Sequence, residues 1–327
     1  MPEVIGFGEV MLRLSPPSMR RLEQSTSLDV FIGGSELNTV VAASRLGLSA
    51  GFVTGLPDNV LGRMVAGRAQ EQGIDVSHCT WRPGGRLGIY FYEYGALPRP
   101  AEVVYDRAGS AFSTLVPGEI PWAELLQGSR LFLTSGINVP LSPSLPEVVR
   151  EALTAAKAAG VQTAFDLNYR SKLWTPAEAR RALEPLLELV DLFFIAEGDA
   201  QQVLGLEETE PVAAARLLAQ RYGFQVVSYI YNPPAGTGRL WDVVAVRGDE
   251  VVRPSRSYTI QTIDRLGAGD AFAGGFLYGY LRRDLQAAVE IGNAMLALKN
   301  TIAGDLAIVS LDDVEALLAG QIGGVRR

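Results

Sequence analysis

The sequence predicts an α/β fold in which helices cover both faces of a central, mostly parallel sheet. From residue 130 onward, short apolar runs alternate with segments of helical periodicity, the pattern of parallel strands joined by crossover helices. Local signals mark the ends of predicted helices along the whole chain. Gly47 and Gly160 each follow the last residue of a helix, and the capping box 175–178 (TPAE) begins a third helix.

The first half of the sequence predicts two strands and two helices, after which its composition changes. The predicted elements are strands Val4–Gly8 and Gly51–Thr54 and helices Ser35–Leu46 and Val60–Gln72. Two aromatic, β-rich runs follow, Leu87–Tyr94 and Glu102–Asp106, joined by the turn-prone segment GALPRP. These runs predict an antiparallel pair that forms a lid rather than a separate domain.

The second half alternates regularly between strand and helix. The predicted strands are Arg130–Thr134, Val161–Leu167, Leu192–Ala196, Gln225–Tyr231 and Tyr258–Thr262. The predicted helices cover Ser144–Ala159, a segment beginning at Thr175, Pro211–Tyr222 and a segment beginning near Gly267.

Charge and hydropathy exclude several classes of protein. The 327 residues include 29 basic and 36 acidic side chains, a net charge of −7, so we expect no nucleic-acid partner. No run of 18 apolar residues occurs, and no basic segment followed by an apolar run opens the chain. We therefore expect a cytoplasmic protein without a membrane span.

Three residue types are scarce. The chain has one histidine (His78), one cysteine (Cys79) and three lysines (Lys157, Lys172 and Lys299). A zinc site rich in histidine or cysteine is excluded, and so is a disulfide within the chain. No lysine follows a glycine, so the lysine-containing phosphate loop is absent. Any phosphate must be bound in another way.

The run 264–270 (DRLGAGD) is the strongest motif, and it begins a helix with an apolar stripe. Gly267, Ala268 and Gly269 have almost no side chain, so the unpaired N–H groups at the helix start can bind an anion closely. Asp270 in the first turn would repel a bound phosphate. Its useful role is to accept a proton from a hydroxyl that attacks the phosphate. The structural alternative is that Asp270 only stabilises the helix dipole.

A second glycine motif, 33–38 (GGSELN), also stands at a helix start. Gly33 and Gly34 allow close approach of a ligand, and Asn38 can both donate and accept hydrogen bonds. These properties suit a polyhydroxylated ligand.

The runs 33–47 and 264–275, in this order and about 230 residues apart, resemble the two signature motifs of the ribokinase-like (PfkB-type) sugar kinases. The segments 55–62 and 73–79 resemble further family stretches. The resemblance implies a ribokinase-like fold, with one domain over residues 1–320, a small β lid at about 13–32 and 86–112, and a tail at 321–327. It implies transfer of the γ-phosphoryl group of ATP to a sugar hydroxyl, with Mg²⁺.

The resemblance also implies roles for individual residues. Asp270 is the general base, and the amides of Gly267, Ala268 and Gly269 form the anion hole. Gly34 and Asn38 hold the sugar. The residues implied to bind the nucleotide are Asn168, Asp264, Gly267 and Gly269.

Within the family, local features resemble the 2-keto-3-deoxygluconate kinases, which form the 6-phosphate. They are the glutamate at 36, GIYFYE at 88–93, YDRAGSA at 105–111 and DLNYR at 166–170. The implied sugar contacts are Tyr90, Tyr105, Arg107, Arg170 and Asp305. An arginine offers a planar fork to a substrate carboxylate, which fits a sugar acid. The alternatives are that Arg107 is a solvated lid residue and that Arg170 binds ATP phosphate.

Two segments depart from the family pattern. The run 196–199 (AEGD) stands where many members have Asn-x-x-Glu, so Asp199 and Glu197 are predicted to hold Mg²⁺ through water. The loop 232–238 (NPPAGTG) replaces the usual nucleotide loop.

Alternative functions are a fructokinase-like or 5-keto-2-deoxygluconate kinase, or a non-catalytic sugar-binding protein. The aromatic lid edge also predicts a homodimer through the lid.

Overall fold

The computed structural model describes residues 1–96, 98–233, 241–321 and 323. Its strands, in chain order, are β1 Val4–Phe7, β2 Met11–Ser15, β3 Asp29–Gly33, β4 Ala50–Val53, β5 Gly55–Pro57, β6 Ile74–Asp75, β7 Thr80–Arg82, β8 Gly88–Glu93, β9 Glu102–Asp106, β10 Leu131–Ser135, β11 Gln162–Asp166, β12 Leu192–Ala196, β13 Val226–Tyr231, β14 Asp242–Arg247 and β15 Glu250–Val252. Its α-helices are α1 Ser35–Arg45, α2 Val60–Glu71, α3 Trp122–Leu125, α4 Leu145–Ala158, α5 Pro176–Leu187, α6 Glu197–Gln202, α7 Pro211–Tyr222, α8 Ala268–Arg282, α9 Leu285–Lys299 and α10 Leu311–Leu318.

The large sheet has the strand order β15-β14-β13-β12-β11-β10-β1-β4-β6 within the described residues. The pairs from β6 to β13 are parallel, and the pairs β13–β14 and β14–β15 are antiparallel. The carboxyl ends of the parallel strands therefore meet at one edge, the usual place for a ligand site in such a sheet. The helix boundaries agree with the predicted ones to within one residue for α1, α2 and α7.

Each face of the large sheet packs against its own hydrophobic core. Along β10, Leu131 and Leu133 join the core formed with α1, α8 and α9, whereas Phe132 joins the core formed with α4, α5 and α7. Successive residues of a strand point to opposite faces of the sheet. A strand whose residues are all apolar is therefore buried on both faces. The capping box at Thr175 and Glu178 begins α5 as predicted. These observations confirm the mostly parallel sheet covered by helices on both faces.

A separate four-stranded sheet, which we call the lid, has the order β3-β2-β8-β9. The predicted antiparallel pair is confirmed as β8 and β9, with Tyr90 opposite Tyr105 and Phe91 opposite Val104. Strand β2 joins it through a parallel pairing with β8 and an antiparallel pairing with β3. Side chains alternate along β2, so Met11, Arg13 and Ser15 share one face.

The predicted strand Tyr258–Thr262 is wrong, because these residues form no ladder in the structure. The chain instead runs beside the end of α9, where the N–H groups of Ile263 and Asp264 donate to the carbonyl oxygen of Asn300. The alternation that suggested a strand reflects partial burial of Tyr258 and Ile260 against this surface. Within the described residues, no helix is both long enough and apolar enough to cross a membrane.

Candidate active site

The beginnings of α1 and α8 lie together at the carboxyl edge of the sheet. Gly274 makes this approach possible, because a Cβ there would lie 2.5 Å from both the Thr39 carbonyl oxygen and the Ala42 Cβ. Helix α1 begins after Gly34, and α8 begins after Gly267, which has a φ of +78° that glycine adopts readily. The two glycine motifs, far apart in sequence, thus form one site.

Asp270 is the centre of this site. Its Oδ1 accepts a hydrogen bond from the Ser35 hydroxyl at 2.8 Å, and its Oδ2 accepts one from the Asn38 amide at 2.7 Å. Asn168 donates in turn to the Ser35 Oγ at 2.8 Å. Burial raises the pKa of Asp270, and the hydrogen bonds from Asn38 and Ser35 oppose that rise. A base whose pKa moves toward neutral pH accepts a hydroxyl proton more effectively.

The loop before Asp270 presents unpaired amides. Within the described chain, the N–H groups of Gly267, Gly269 and Asp270 have no protein acceptor, whereas the N–H of Ala268 donates to the Arg265 carbonyl at 3.3 Å. Open N–H groups at the start of a 15-residue helix favour an anion. Three amides were predicted to form the anion hole. The N–H groups of Gly267 and Gly269 have no acceptor among the described residues, whereas the N–H of Ala268 is used in the turn that begins at Arg265.

A cavity of about 940 Å³ adjoins these amides. Its lining includes Arg265, Ala268 and Gly269 from the loop before α8 and the start of that helix, Ile230 and Trp241 from β13 and the segment before β14, and Tyr92 and Tyr94 from β8 and the residue that follows it. Its volume is in the range of sites for small ligands and cofactors. Part of the loop 232–238, predicted as a departure from the family, lies outside the described residues from 234 onward.

The lid brings the predicted sugar residues Tyr90, Tyr105 and Arg107 together. The ring centroids of Tyr90 and Tyr105 are 5.9 Å apart, and the Arg107 guanidinium lies 5.8 Å from the Tyr105 ring. Both Nε and Nη2 of Arg107 donate to the buried carboxylate of Glu9, with the Nε contact at 2.8 Å. Arg107 is therefore a fixed side chain of the site, not a freely solvated lid residue.

Asp305 reaches the lid from the other side. It accepts hydrogen bonds from the Tyr90 hydroxyl and, at 2.7 Å, from Nη1 of Arg13. A Cβ at Gly33 would lie 2.4 Å from Asp305 Oδ2 and 2.9 Å from the Tyr90 hydroxyl, so only glycine fits at this corner. Tyr90 and Asp305 thus meet beside Gly33, next to the start of α1, and their contact with a sugar stays a prediction.

Asp264 does not have the exposure that its predicted nucleotide contact requires. Its side chain is completely buried and forms an ion pair with Arg13 at 2.6 Å. It also accepts N–H donors from Leu266 and Gly304 at 3.1 and 3.0 Å. The structure corrects this prediction: Asp264 shapes the turn into α8 from the interior.

Carboxylates at the ends of neighbouring strands are the candidates for holding Mg²⁺. Asp166 ends β11, and burial, together with the charges of Asp270 and Asp199, raises its pKa to about 8. Asp199 accepts the Tyr169 N–H at 3.2 Å, and Glu197 accepts the Asn232 N–H at 3.3 Å. No three metal-binding side chains converge in the described residues. Mg²⁺ keeps several waters and needs only one or two carboxylates, so Asp166 and Asp199, whose repulsion a cation relieves, fit it.

Arg13 and Glu9 are residues of this region that the sequence interpretation missed, and Glu36 was noted only as a feature of the family resemblance, without a role. Glu36 is 1% exposed and accepts hydrogen bonds from Ser135 and, at 2.7 Å, from Asn138. Burial raises the pKa of Glu36 to about 7. The sequence signal that could have indicated a role for Glu36 was its place inside the glycine motif 33–38. For Arg13, the signal was an arginine inside the apolar strand run 11–15 (MLRLS).

Replacing Glu36 by glutamine is expected to flatten the pH dependence of stability between about pH 4.5 and 7. The folded chain keeps the Glu36 proton across this window, because burial raises its pKa from 4.5 to about 7, whereas the unfolded chain releases it. The free energy of unfolding therefore falls as pH rises through the window, and glutamine, which mimics the protonated acid, lacks this slope. Urea unfolding at several pH values measures it, with Glu124→Gln as an exposed control; an unchanged slope would contradict the prediction.

Comparison with known proteins identifies the family. The protein-family model described as "pfkB family carbohydrate kinase" matches residues 1–305 of this chain. This chain belongs to the PfkB family of carbohydrate kinases. The ribokinase-like fold and the prediction of a carbohydrate kinase are thereby confirmed, and the non-catalytic alternative is not supported.

Individual relatives of this PfkB-family kinase carry related names. The 2-dehydro-3-deoxygalactonokinase of Haloferax volcanii is 40% identical over 326 residues, 99% of each chain. The 5-dehydro-2-deoxygluconokinase of Shouchella clausii is 28% identical, over 98% of this chain and 96% of that protein. The crystal structure of 2-dehydro-3-deoxygluconokinase from Thermotoga maritima has a TM-score of 0.91 and 39% identity, covering 97% of this chain and 98% of that one.

Proposed function

We propose that this PfkB-family kinase transfers the γ-phosphoryl group of ATP to a 2-keto-3-deoxy sugar acid, 2-keto-3-deoxygluconate, forming its 6-phosphate. The observation that carries the proposal is Asp270, held by Ser35 and Asn38 directly beside free amides at the start of α8. The names of two relatives, the 40% identical galactonokinase and the 39% identical gluconokinase, support this substrate class.

The site residues divide the reaction among them. The substrate hydroxyl lies against Asp270, which accepts its proton as the oxygen forms a bond to the γ-phosphorus. The bond from that phosphorus to the bridging oxygen breaks, and ADP leaves. The amides of Gly267 and Gly269 stabilise charge on the transferred group, a contribution that is typically worth ~10²–10³ in rate for one preorganised donor.

ATP and Mg²⁺ are the proposed cofactors. The cavity beside Gly269, lined in part by Ile230 and Trp241, accommodates the nucleotide, and its phosphates then meet the free amides. Asn168 lies next to this position through its bond to Ser35. Mg²⁺, held by Asp199 and Asp166 through water, would neutralise phosphate charge when bound.

Arginine supplies recognition of the sugar carboxylate. Arg170 is exposed, its guanidinium forms no hydrogen bond or ion pair with the described residues, and its charge lowers the pKa of Asp270. Glu9 occupies Nε and Nη2 of Arg107, which leaves Nη1 open to a ligand. These two arginines, one from the segment after β9 and one from the segment after β11, are the proposed donors to the carboxylate of an acidic substrate.

A panel of sugars tests the substrate. We expect turnover of 2-keto-3-deoxygluconate or its C4 epimer, measured by ADP release, to exceed that of fructose at least tenfold in kcat/KM. The 28% identical relative makes 5-keto-2-deoxygluconate the second candidate. Arg170→Ala should raise KM for the acids more than for neutral sugars. Faster turnover of fructose than of any acid would overturn the proposal.

The outer face of the lid supports a proposed homodimer. Val30, Leu14, Phe91 and Val104 stand in register across all four lid strands, and Val30 and Val104 are 39% and 48% exposed. An apolar row beside open strand edges favours pairing with a second copy. Sedimentation should give a dimer that Val104→Asp dissociates and Val116→Asp, at a 50% exposed position away from the lid, does not. A monomeric native chain contradicts this.

A further inference from the structure

One of the three lysines is completely removed from solvent. Lys299 ends α9, and its exposed fraction is 0%. Its ammonium donates hydrogen bonds to the main-chain carbonyl oxygens of Asp264, at 3.0 Å, and of Ile302, at 3.1 Å. Among the residues that the structure describes, these carbonyl groups, and not a carboxylate, are its hydrogen-bond partners.

The two carbonyl groups belong to two loops that bound the active site. The anion-hole loop (residues 263–267) leads into α8, and the sugar loop (residues 301–305) leads to Asp305. The loops touch directly, since a Cβ at Gly267 would lie 2.0 Å from the Asp305 carbonyl oxygen. The Gly304 N–H also donates to the Asp264 carboxylate at 3.0 Å. Lys299 therefore bonds the main chain of both loops at their junction.

Tethering alone does not require a charge. A neutral amide can donate to two carbonyl oxygens, whereas removing an ammonium from water is costly. Burial lowers the pKa of Lys299, and so does the charge of Arg13, whereas the carboxylates of Asp264, Asp305 and Asp270 raise it. The C-terminal dipole of α9 also favours a cation here. A positive charge at this point is bonded to the Asp264 carbonyl oxygen, in the loop that leads to the amides where negative charge develops during phosphoryl transfer.

We propose that Lys299 is a positioning residue for phosphoryl transfer, whose charged ammonium holds the anion-hole loop against the sugar loop and places a fixed positive charge on the loop that leads to the anion-hole amides. The proposal rests on the proposed function of Asp270 and its neighbouring amides. It predicts a defect in kcat rather than in substrate binding, because Lys299 is buried and touches neither substrate.

Two variants and a matched control test the proposal. Lys299→Met removes both the hydrogen bonds and the charge, and Lys299→Gln retains donors without charge. Each is expected to lower kcat for the sugar acid by roughly 10–100-fold, with both KM values within about threefold of the native enzyme. Lys157→Met removes an ion pair with Asp191 at 2.6 Å, outside the site, and is expected to keep kcat.

All assays are run below the unfolding temperature measured for each variant. Native kcat in Lys299→Gln would overturn the proposal, and so would a fall in kcat that Lys157→Met shares. If Lys299→Met does not fold, Lys299→Gln, which is similar in length and can still donate to a carbonyl group, decides the question. Inactivity of the native protein on every sugar would instead overturn the proposed function, so the two failures are distinguishable.

Discussion

Replacing Asp270 by asparagine is expected to lower kcat for phosphoryl transfer by about 10²–10⁴-fold while sugar binding is retained. Asparagine keeps the size of the side chain and can still accept from Asn38, but it cannot accept the proton of the attacking hydroxyl. Thermal stability should be equal or higher, since a buried carboxylate is replaced by a neutral group. Coupled ADP release measures kcat, and calorimetry measures sugar binding.

The matched control is Asp284→Asn at the start of α9. Asp284 also stands at a helix N-terminus, where its side chain accepts the Ala287 N–H at 2.8 Å, and asparagine caps a helix equally well. Near-native activity is expected there. If Asp270→Asn were equally active, Asp270 would be confined to the helix-dipole role.

Arg13→Met is expected to destabilise the chain by about 3–5 kcal/mol, because it leaves the buried carboxylates of Asp264 and Asp305 without their cation. The Arg13 guanidinium is 0% exposed, binds these carboxylates at 2.6 and 2.7 Å, and stacks 4.4 Å from the centre of the Tyr92 ring. The midpoint of equilibrium urea unfolding measures the loss. Activity should also fall, since Asp305 loses the ion pair that holds it at the proposed sugar position.

Arg86→Met provides the comparison. Arg86 forms an ion pair with Asp106 at 2.8 Å, but the two side chains are 42% and 59% exposed. Pairs exposed in this way contribute at most about 1 kcal/mol. A loss in Arg13→Met no larger than in Arg86→Met would show that the buried network does not hold the lid.

The sequence predicted the parts of the site that depend on local patterns. The prediction for Asp270 and the Gly267–Gly269 amides follows from one short motif and the physics of a helix start; α8 begins at Ala268, and the N–H groups of Gly267 and Gly269, but not that of Ala268, lack an acceptor in the described residues. The helices bounded by glycine and by the capping box also follow from local chemistry. The approach of the two glycine motifs in space was expected only through the family resemblance.

The missed residues depend on distant partners. Arg13 meets Asp264 and Asp305, which lie 251 and 292 residues later in the chain. Burial raises the pKa of Glu36, and the hydrogen bonds from Ser135 and Asn138 oppose that rise; neither the burial nor these partners can be read from its neighbours in sequence. The segment Tyr258–Thr262, wrongly predicted as a strand, has the alternation of apolar and polar residues that is typical of strands, but it lies beside the end of α9 and forms no ladder. Asp264 was assigned to the nucleotide through the family resemblance, yet the fold turns its side chain inward.

The contacts of Arg13 also determine the order in which the molecule can be completed during synthesis. Strand β2 emerges from the ribosome among the first residues, but its two carboxylate partners emerge only after residues 264 and 305 have been made. Contacts this far apart in sequence form late and slow folding. The lid therefore becomes fully anchored only after residue 305 has emerged, so a chain truncated before residue 305 lacks the ion pair between Arg13 and Asp305.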